Sequence, residues 1–185
     1  SMPLPPYIKR PPTEQDREWY QTLFAKDEGA IAAPTAGLHF TPALLNRLAE
    51  RRIEVAKITL HVGVGTFTPV TADRIEDHRM EPEWVEVAPE TVRAIEQAKQ
   101  RNGTIVAVGT TVVRALESAA SGPGTLRAYR GETGLFIVPG YRFRIVEALL
   151  TNFHLPQTTL LMLVCAFGGI ELIRRGYEEA VRTRY

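Results

Sequence analysis

The sequence predicts an α/β fold in which a mixed, partly parallel sheet is flanked by helices. Apolar runs typical of strands alternate with amphipathic runs typical of helices along much of the chain, as in folds built from parallel strands and crossover helices. The composition, with 44% hydrophobic and 23% charged residues in a chain of 185, suits one globular domain with its own core. We expect a Pro-rich linker over residues 1–15 and an α/β catalytic domain over residues 16–185.

The first half of the chain is divided by helix start and stop signals. Thr41-Pro42 offers a capping hydroxyl followed by proline at the first helical position, and Asn102-Gly103 is a typical helix stop. Apolar residues at strand spacing or in short runs mark the strands between them. Helices are predicted over residues 16–26, 42–51 and 89–102, and strands over residues 30–33, 54–62 and 84–87.

The second half follows the same alternation. A buried strand leads through Gly109 into a helix, and the turn Pro139-Gly140 separates two further strands. Thr158 begins a buried apolar helix, and the last segment is amphipathic. Strands are predicted over residues 104–108, 135–138 and 143–150, a loop over residues 121–124, and helices over residues 110–120, from 158 onward and over 170–184.

Charge and cysteine usage exclude several classes of protein. The net charge of +1 argues against nucleic-acid binding through a generally basic surface, although it does not exclude a local basic patch. The single cysteine, Cys165, excludes an internal disulfide and a cysteine-based metal cage. The longest apolar run, residues 158–167, is far shorter than the ~20 residues of a membrane-spanning helix. We therefore expect a cytoplasmic protein that does not insert into membranes.

The four histidines, His39, His61, His78 and His154, all lie beside small or turn residues. Three of them follow predicted strands, where the loops of an α/β sheet line its ligand crevice. One histidine in a turn is more often a capping or packing residue, but four such positions make proton-transfer chemistry near neutral pH an equal alternative. A zinc site formed by three histidines and Asp77 is the rival interpretation, although the histidines lack helical i, i+4 spacing.

The segment from Val108 to Glu117 reads as a strand, a tight turn and a helix start. Thr110 and Thr111 place hydroxyls and free backbone N–H groups where a helix favours an anion, and Arg114 is one turn further on. The alternative is that Thr110 is an N-cap and Arg114 pairs with a surface acid. The local sequence does not choose between them.

Eight short strings together resemble the S-adenosylmethionine:tRNA ribosyltransferase-isomerase (QueA) family. They occur in collinear order between Met2 and Tyr185, and this order makes the resemblance specific. The strings cover residues 2–8, 20–27, 33–40, 60–63, 77–78, 109–117, 135–141 and 151–156.

The resemblance implies an enzyme of queuosine biosynthesis. Such enzymes transfer and isomerise the ribosyl part of S-adenosylmethionine onto 7-aminomethyl-7-deazaguanine at the wobble position of tRNA. The product is epoxyqueuosine, and adenine and methionine are released. S-adenosylmethionine is then a co-substrate, no cofactor or metal is implied, and tRNA carrying the modified base is the partner. The full-length form is expected to be a monomer.

The resemblance also implies roles for particular residues. His39, His61, His78 and His154 become candidates for the general bases and the acid, with Asp77 orienting an imidazole. Thr110, Thr111 and Arg114 become candidates for holding the methionine carboxylate or a tRNA phosphate, and Tyr141 and Asn152 for reading base or ribose edges. Glu81 stands where the family pattern would have a further histidine.

The family's full-length members are about twice as long, with an upstream segment, an inserted β-barrel domain before the Pro-rich linker and a C-terminal tail. The chain is therefore expected to be the C-terminal part of such an enzyme, lacking the inserted barrel. Two alternatives remain open. One is an inactive fragment that only binds S-adenosylmethionine or tRNA, and the other is a histidine-based metal-dependent hydrolase.

Overall fold

The computed structural model describes residues 4, 8–26, 29–30, 32–63, 70, 72 and 74–185. Two short 3₁₀ helices, Thr35–His39 and Ile75–Asp77, accompany the regular elements. The α-helices are α1 (Asp16–Trp19), α2 (Pro42–Glu50), α3 (Pro89–Gln100), α4 (Thr110–Ala119), α5 (Thr159–Gly168) and α6 (Ile170–Thr183). The strands are β1 (Thr59–His61), β2 (Glu83–Val87), β3 (Val106–Val108), β4 (Ala120–Gly122), β5 (Thr125–Leu126), β6 (Tyr129–Thr133) and β7 (Ala148–Leu150).

An antiparallel sheet of three strands, in the order β1-β2-β6, forms one side of the core. Its central strand alternates in burial, so that Val85 and Val87 are each only 1% exposed while Trp84 and Glu86 are half-buried. This period of two is the one expected for a strand with one face on the core. The register pairs His61 with Trp84 and Glu83 with Thr133.

A parallel pair of strands, β3 and β7, forms a second small sheet, with Val106 opposite Ala148 and Val108 opposite Leu150. Helix α4 follows β3 directly and packs against both sheets. Its apolar residues Val113 and Ala115 are fully buried. The predicted α/β class with a partly parallel arrangement of strands is confirmed.

The helix boundary signals act as predicted. The Thr41 hydroxyl accepts a hydrogen bond from Leu44 N at 3.1 Å, which begins α2. Asn102 takes a left-handed conformation with φ of 55°, and Gly103 N donates to Ala98 O at 2.8 Å to end α3. The Thr158 hydroxyl caps α5 by accepting from Leu161 N at 3.3 Å.

Three predictions in the first half were wrong or too long. The described part of residues 30–33 forms no strand, because its one backbone bond to a neighbour runs from Ala32 N to Val62 O, and Pro34 then leads into a 3₁₀ helix. The helix predicted over residues 16–26 is only the four-residue α1. Strand 54–62 is likewise reduced to Thr59–His61.

Residues 135–138 also form no strand, because side chains rather than a ladder bind their backbone. Arg114 Nε donates to Leu135 O, and Leu135 N donates to the Thr133 hydroxyl. The paired strand comes earlier, as β6, where a glycine and charged residues obscure the strand pattern. The predicted loop 121–124 lies in the β4–β5 hairpin, and the strands predicted over 104–108 and 143–150 shrink to β3 and β7.

Residues 4 and 8–15 of the predicted linker are described, and Arg10 anchors this part of the chain. The Arg10 guanidinium donates to both carboxylate oxygens of Asp16, at 2.6 and 2.7 Å, which lowers the pKa of Asp16 strongly. Across the described residues, every helix is too short or too polar to cross a bilayer.

Candidate active site at the carboxyl ends of the parallel strands

A cleft of about 280 Å³ lies where β3 and β7 end side by side. The two strands finish in register at Val108 and Leu150, and Gly109 N donates to Leu150 O at 2.8 Å. The segments that follow the two strands therefore leave the sheet together and form facing walls. The carboxyl ends of parallel strands are the usual place for a ligand crevice in α/β proteins.

The described residues that line this cleft are uncharged or imidazole side chains. The cleft offers five threonine hydroxyls, one carboxamide and one imidazole, with an apolar remainder. The lining residues are Ala33, Pro34, Thr35, Ala36, Val62, Gly109, Thr110, Thr111, Thr151, Asn152, Phe153, His154, Leu155, Thr158 and Leu160.

Two helices begin at the cleft. Gly109, with φ of 100°, is the N-cap of α4, so Thr110 is the first helical residue rather than the cap. Thr158 caps α5 on the other side. A helix start presents free N–H groups and the positive end of the helix dipole. The cleft therefore favours an anionic group, such as a carboxylate, without any arginine or lysine in its described wall.

His154 is the one residue of the described cleft wall with a titratable side chain. Burial lowers its pKa to about 4, so the imidazole is neutral at physiological pH. Its Nε2 lies 3.1 Å from the Thr151 hydroxyl, and its backbone N–H donates to the Tyr177 hydroxyl at 2.8 Å. A neutral, fixed imidazole exchanges hydrogen bonds with a ligand but carries no charge to it.

His39 reaches the rim of the cleft from the opposite wall. It ends the 3₁₀ helix Thr35–His39, whose first residues Thr35 and Ala36 line the cleft. The His39 side chain is exposed, and its Nε2 lies 3.0 Å from Asn152 Oδ1. The structure therefore brings together His39, His154 and Asn152 among the predicted site residues, beside Thr110 and Thr111.

The other two histidines and Asp77 lie elsewhere. His61 packs on Trp84, its partner in the sheet, with ring centroids 4.8 Å apart, and His78 packs on Phe136 at 5.0 Å. Asp77 is exposed in the second 3₁₀ helix. Within the described part of the chain, no three His, Cys, Asp or Glu side chains are grouped closely enough to hold a metal ion.

Arg114 lies on the side of α4 away from the cleft. Its guanidinium is 3% exposed, pairs with Glu83 at 2.6 Å and donates to the Leu135 and Thr133 carbonyl groups. The predicted anion clamp at the helix start therefore has its arginine engaged by internal partners. The alternative prediction, that Arg114 pairs with a surface acid, is correct in that the partner is an acid. The pair is buried, however, and does not lie on the surface.

Tyr141 is also outside the cleft, and it points to a buried carboxylate that the sequence analysis did not single out. The Tyr141 hydroxyl donates to Glu117 Oε2 at 3.2 Å. Glu117 is completely buried and also accepts from the backbone N–H groups of Arg144, Ile145 and Val146. Burial raises the pKa of Tyr141, which keeps its phenol protonated.

Four cleft residues with polar or aromatic side chains were given no functional role in the sequence analysis: Thr35, Thr151, Phe153 and Thr158. The first three lie inside strings that carried the family resemblance, next to residues that were chosen. Their position directly after a strand or at a helix start is the signal that would have selected them. Phe153 is 53% exposed, which is unusual for a phenylalanine and marks the cleft mouth.

Comparison with known proteins agrees with the resemblance seen in the sequence. The model of a family described as queuosine biosynthesis protein matches residues 1–185. Proteins named S-adenosylmethionine:tRNA ribosyltransferase-isomerase are 57% identical in Bradyrhizobium sp. (strain ORS 278), over 99% of the chain, and 55% identical in Geobacter metallireducens, over 100%.

A crystal structure of S-adenosylmethionine tRNA ribosyltransferase from Thermotoga maritima resembles the fold, with a TM-score of 0.66 and 43% identity over 81% of this chain. The alignment covers 47% of that chain. The present chain spans about half the length of the curated relatives it matches, 51% and 54% for the two named above.

Proposed function

Because the chain belongs to the queuosine biosynthesis protein family, we propose that it is the catalytic part of an S-adenosylmethionine:tRNA ribosyltransferase-isomerase. The full-length enzyme would transfer and isomerise the ribosyl group of S-adenosylmethionine onto 7-aminomethyl-7-deazaguanine at the tRNA wobble position. It would release adenine and methionine and leave epoxyqueuosine.

The observation that carries this proposal is the cleft at the ends of β3 and β7. It combines two helix starts, which suit the methionine carboxylate, with apolar and hydroxyl groups that suit a ribose and a purine. The described wall carries no Lys, Arg, Asp or Glu. A sulfonium substrate therefore meets no competing cation there, and proton transfer falls to imidazoles.

The reaction needs a group that removes a proton from the ribose carbon next to the sulfonium. Departure of adenine needs a proton donor near the purine, and attack on the ribosyl group needs the substrate amine in its neutral form. In this proposal His39 and His154 serve these steps, because they are the histidines that the fold brings to the cleft. His154 acts as a neutral hydrogen-bond partner, since its pKa of about 4 makes it a weak base.

Thr110 and Thr111 hold the methionine carboxylate at the start of α4 in this proposal. Both are buried at the cleft wall, so their hydroxyls and N–H groups are shielded from bulk water. Electrostatic attraction is stronger in such surroundings than in water. S-adenosylmethionine is a co-substrate here, and the proposal includes no cofactor. We place the full-length protein in the cytoplasm, acting as a monomer on tRNA.

Adenine release tests the function. The assay supplies S-adenosylmethionine and tRNA carrying 7-aminomethyl-7-deazaguanine, and compares this chain with the full-length protein. Release that depends on the modified tRNA is the expected result for the full-length protein, and its absence would overturn the proposal. Release by the chain alone would place the whole catalytic apparatus in this half. Ligand binding by the chain without release would mean that the other half completes the site.

Purified protein treated with a chelator separates this function from a metal-dependent hydrolase. The proposed reaction should proceed at an unchanged rate after metal removal, whereas a metal-dependent reaction should stop and return on adding zinc.

A further inference from the structure

The segment Thr151–His154 holds both histidines of the cleft by their Nε2 atoms. The Thr151 hydroxyl lies 3.1 Å from His154 Nε2, and the Asn152 carboxamide oxygen lies 3.0 Å from His39 Nε2. The two contacts differ in what they fix. A hydroxyl donates or accepts, so it leaves the His154 tautomer open, whereas a carboxamide oxygen only accepts.

An accepting partner at Nε2 determines where the proton of a neutral imidazole lies. If Asn152 Oδ1 accepts from His39, then His39 Nε2 carries the hydrogen and Nδ1 keeps the free lone pair. Rotating the carboxamide by 180° would reverse this, because its NH₂ group would then donate to Nε2 and use the lone pair that a base needs.

We propose that Asn152 is a positioning residue that holds neutral His39 in its Nε2–H tautomer and leaves Nδ1 as the proton acceptor of the reaction. The part of this statement that concerns the reaction rests on the function proposed above. The tautomer itself does not, since it depends only on which carboxamide atom of Asn152 faces His39 Nε2, and Oδ1 lies there at 3.0 Å.

The different surroundings of His39 and His154 support this assignment. His154 is largely withdrawn from water, and its weakly basic ring is poorly suited to removing a proton at neutral pH. His39 is exposed at the rim, on a 3₁₀ helix whose first two residues, Thr35 and Ala36, line the cleft. A carboxamide that orients an exposed imidazole reduces the freedom that the ring would otherwise have to lose in the transition state.

Nitrogen NMR on histidine-labelled protein tests the tautomer directly. The chain has only four histidines, so single His→Gln variants assign their signals. At a pH where the rings are neutral, His39 should show a protonated Nε2 and an unprotonated Nδ1. In Asn152→Ala the signal should move toward the mixture of tautomers of an unrestrained imidazole. Asn152→Asp should keep the Nε2–H form, because a carboxylate also accepts.

Asn46→Ala is the matched control. Asn46 is an exposed asparagine on α2, away from the cleft, so the same chemical change there should leave the His39 signals as they are. A protonated Nδ1 in the unchanged protein would overturn the proposal. So would a His39 tautomer that is identical with and without the Asn152 carboxamide.

Kinetics of the full-length protein then test the consequence. Asn152→Ala should lower kcat, but by less than the roughly 10²- to 10⁴-fold that a general base itself contributes, with a much smaller change in KM. Asn152→Asp should recover part of kcat. A change confined to KM would mean that Asn152 binds substrate instead, and would contradict the positioning role. If the unchanged full-length protein releases no adenine, the proposed function fails while the NMR result stands by itself.

Discussion

The two ends of α4 show opposite uses of polar residues. At its start, Thr110 and Thr111 face an uncharged cleft at the ends of two parallel strands. Further along, Arg114 and Glu117 are buried and engaged with partners from β2, β6 and the segment before β7. The charged residues of this helix hold the scaffold, and its first two threonines line the cleft.

This arrangement follows from the cost of burying charge. A buried arginine or carboxylate needs several hydrogen bonds to replace water. Arg114 donates them to backbone carbonyl groups, and the Glu117 carboxylate accepts them from backbone N–H groups. Those bonds tie β6 and the segment before β7 to α4. A cleft without such charges leaves the field of the helix starts uncompensated for a ligand.

Glu117→Ala is expected to have the largest effect on stability. Three backbone N–H groups, of Arg144, Ile145 and Val146, lose this acceptor. At about 1–3 kcal/mol for each unsatisfied group, the loss is on the order of 5 kcal/mol. Urea unfolding measures it, and Glu90→Ala on the exposed side of α3 is the matched control.

Because Glu117→Ala removes a large share of a typical domain stability, Glu117→Gln provides a milder test. It keeps one acceptor oxygen, so the variant should fold and lose less. If both Glu117 variants have the same urea midpoint of unfolding as the unchanged protein, the Glu117 carboxylate does not stabilise the segment before β7.

Arg114→Ala comes next, with a loss of about 3–5 kcal/mol, because it leaves the Glu83 carboxylate buried without its guanidinium. The double variant Arg114→Met with Glu83→Gln removes both charges and should recover most of that loss. Unfolding of the single and double variants measures the coupling. Equal losses in the two would show that the ion pair itself is not what matters.

The pH dependence of stability tests the burial of His154. Its pKa is lowered to about 4 from the ordinary 6.5, so between these values the unfolded chain binds a proton that the folded chain does not. Stability is complete above pH 6.5 and falls as the pH drops toward 4, by up to about 3 kcal/mol.

Urea unfolding of the unchanged protein and of His154→Gln, each followed across that pH window, isolates this contribution. The unchanged protein should lose more stability on acidification than the variant does. Parallel loss in the two proteins would mean that His154 titrates normally and is more open to water than the cleft geometry indicates.

Val106 should give the smallest effect in this chain. It lies on β3 and is 56% exposed, and Leu150 at the end of β7 is 42% exposed. Val106→Glu should therefore change the stability of the isolated chain by less than about 0.5 kcal/mol. Parallel strands are normally covered on both faces, so the same substitution should destabilise the full-length protein more. Equal effects in both would show that the rest of the protein leaves this face open.

The sequence predicted the parts of the fold that local chemistry determines. Thr41, Thr158 and Gly103 mark helix boundaries through bonds within a few residues of themselves. Strand β6 and the irregular segment at 135–138 could not be separated in this way, because the partners of both, β2 and Arg114, are distant in the sequence. Strand limits depend on partners that the local pattern does not contain.

The residues of the candidate site could also be predicted only where the local sequence determines their position. The strings around His39, Thr110 and His154 mark turns, and these turns do meet at the cleft, although only those at Thr110 and His154 follow strands. Arg114 had the right spacing for the helix start, but its partner Glu83 lies 31 residues earlier in the sequence. The contact of His39 with Asn152, across 113 residues, has no local signature at all.

In the proposed function, the catalytic imidazoles are those of His39 and His154, at the cleft beside the ends of β3 and β7. The most direct test is the kcat of adenine release by the full-length protein carrying His39→Gln, His154→Gln or His78→Gln. The first two should lower kcat by about 10²-fold or more, and His78→Gln, whose ring packs on Phe136, should keep most of the rate. Loss of activity in His78→Gln with normal rates in the cleft variants would contradict the account.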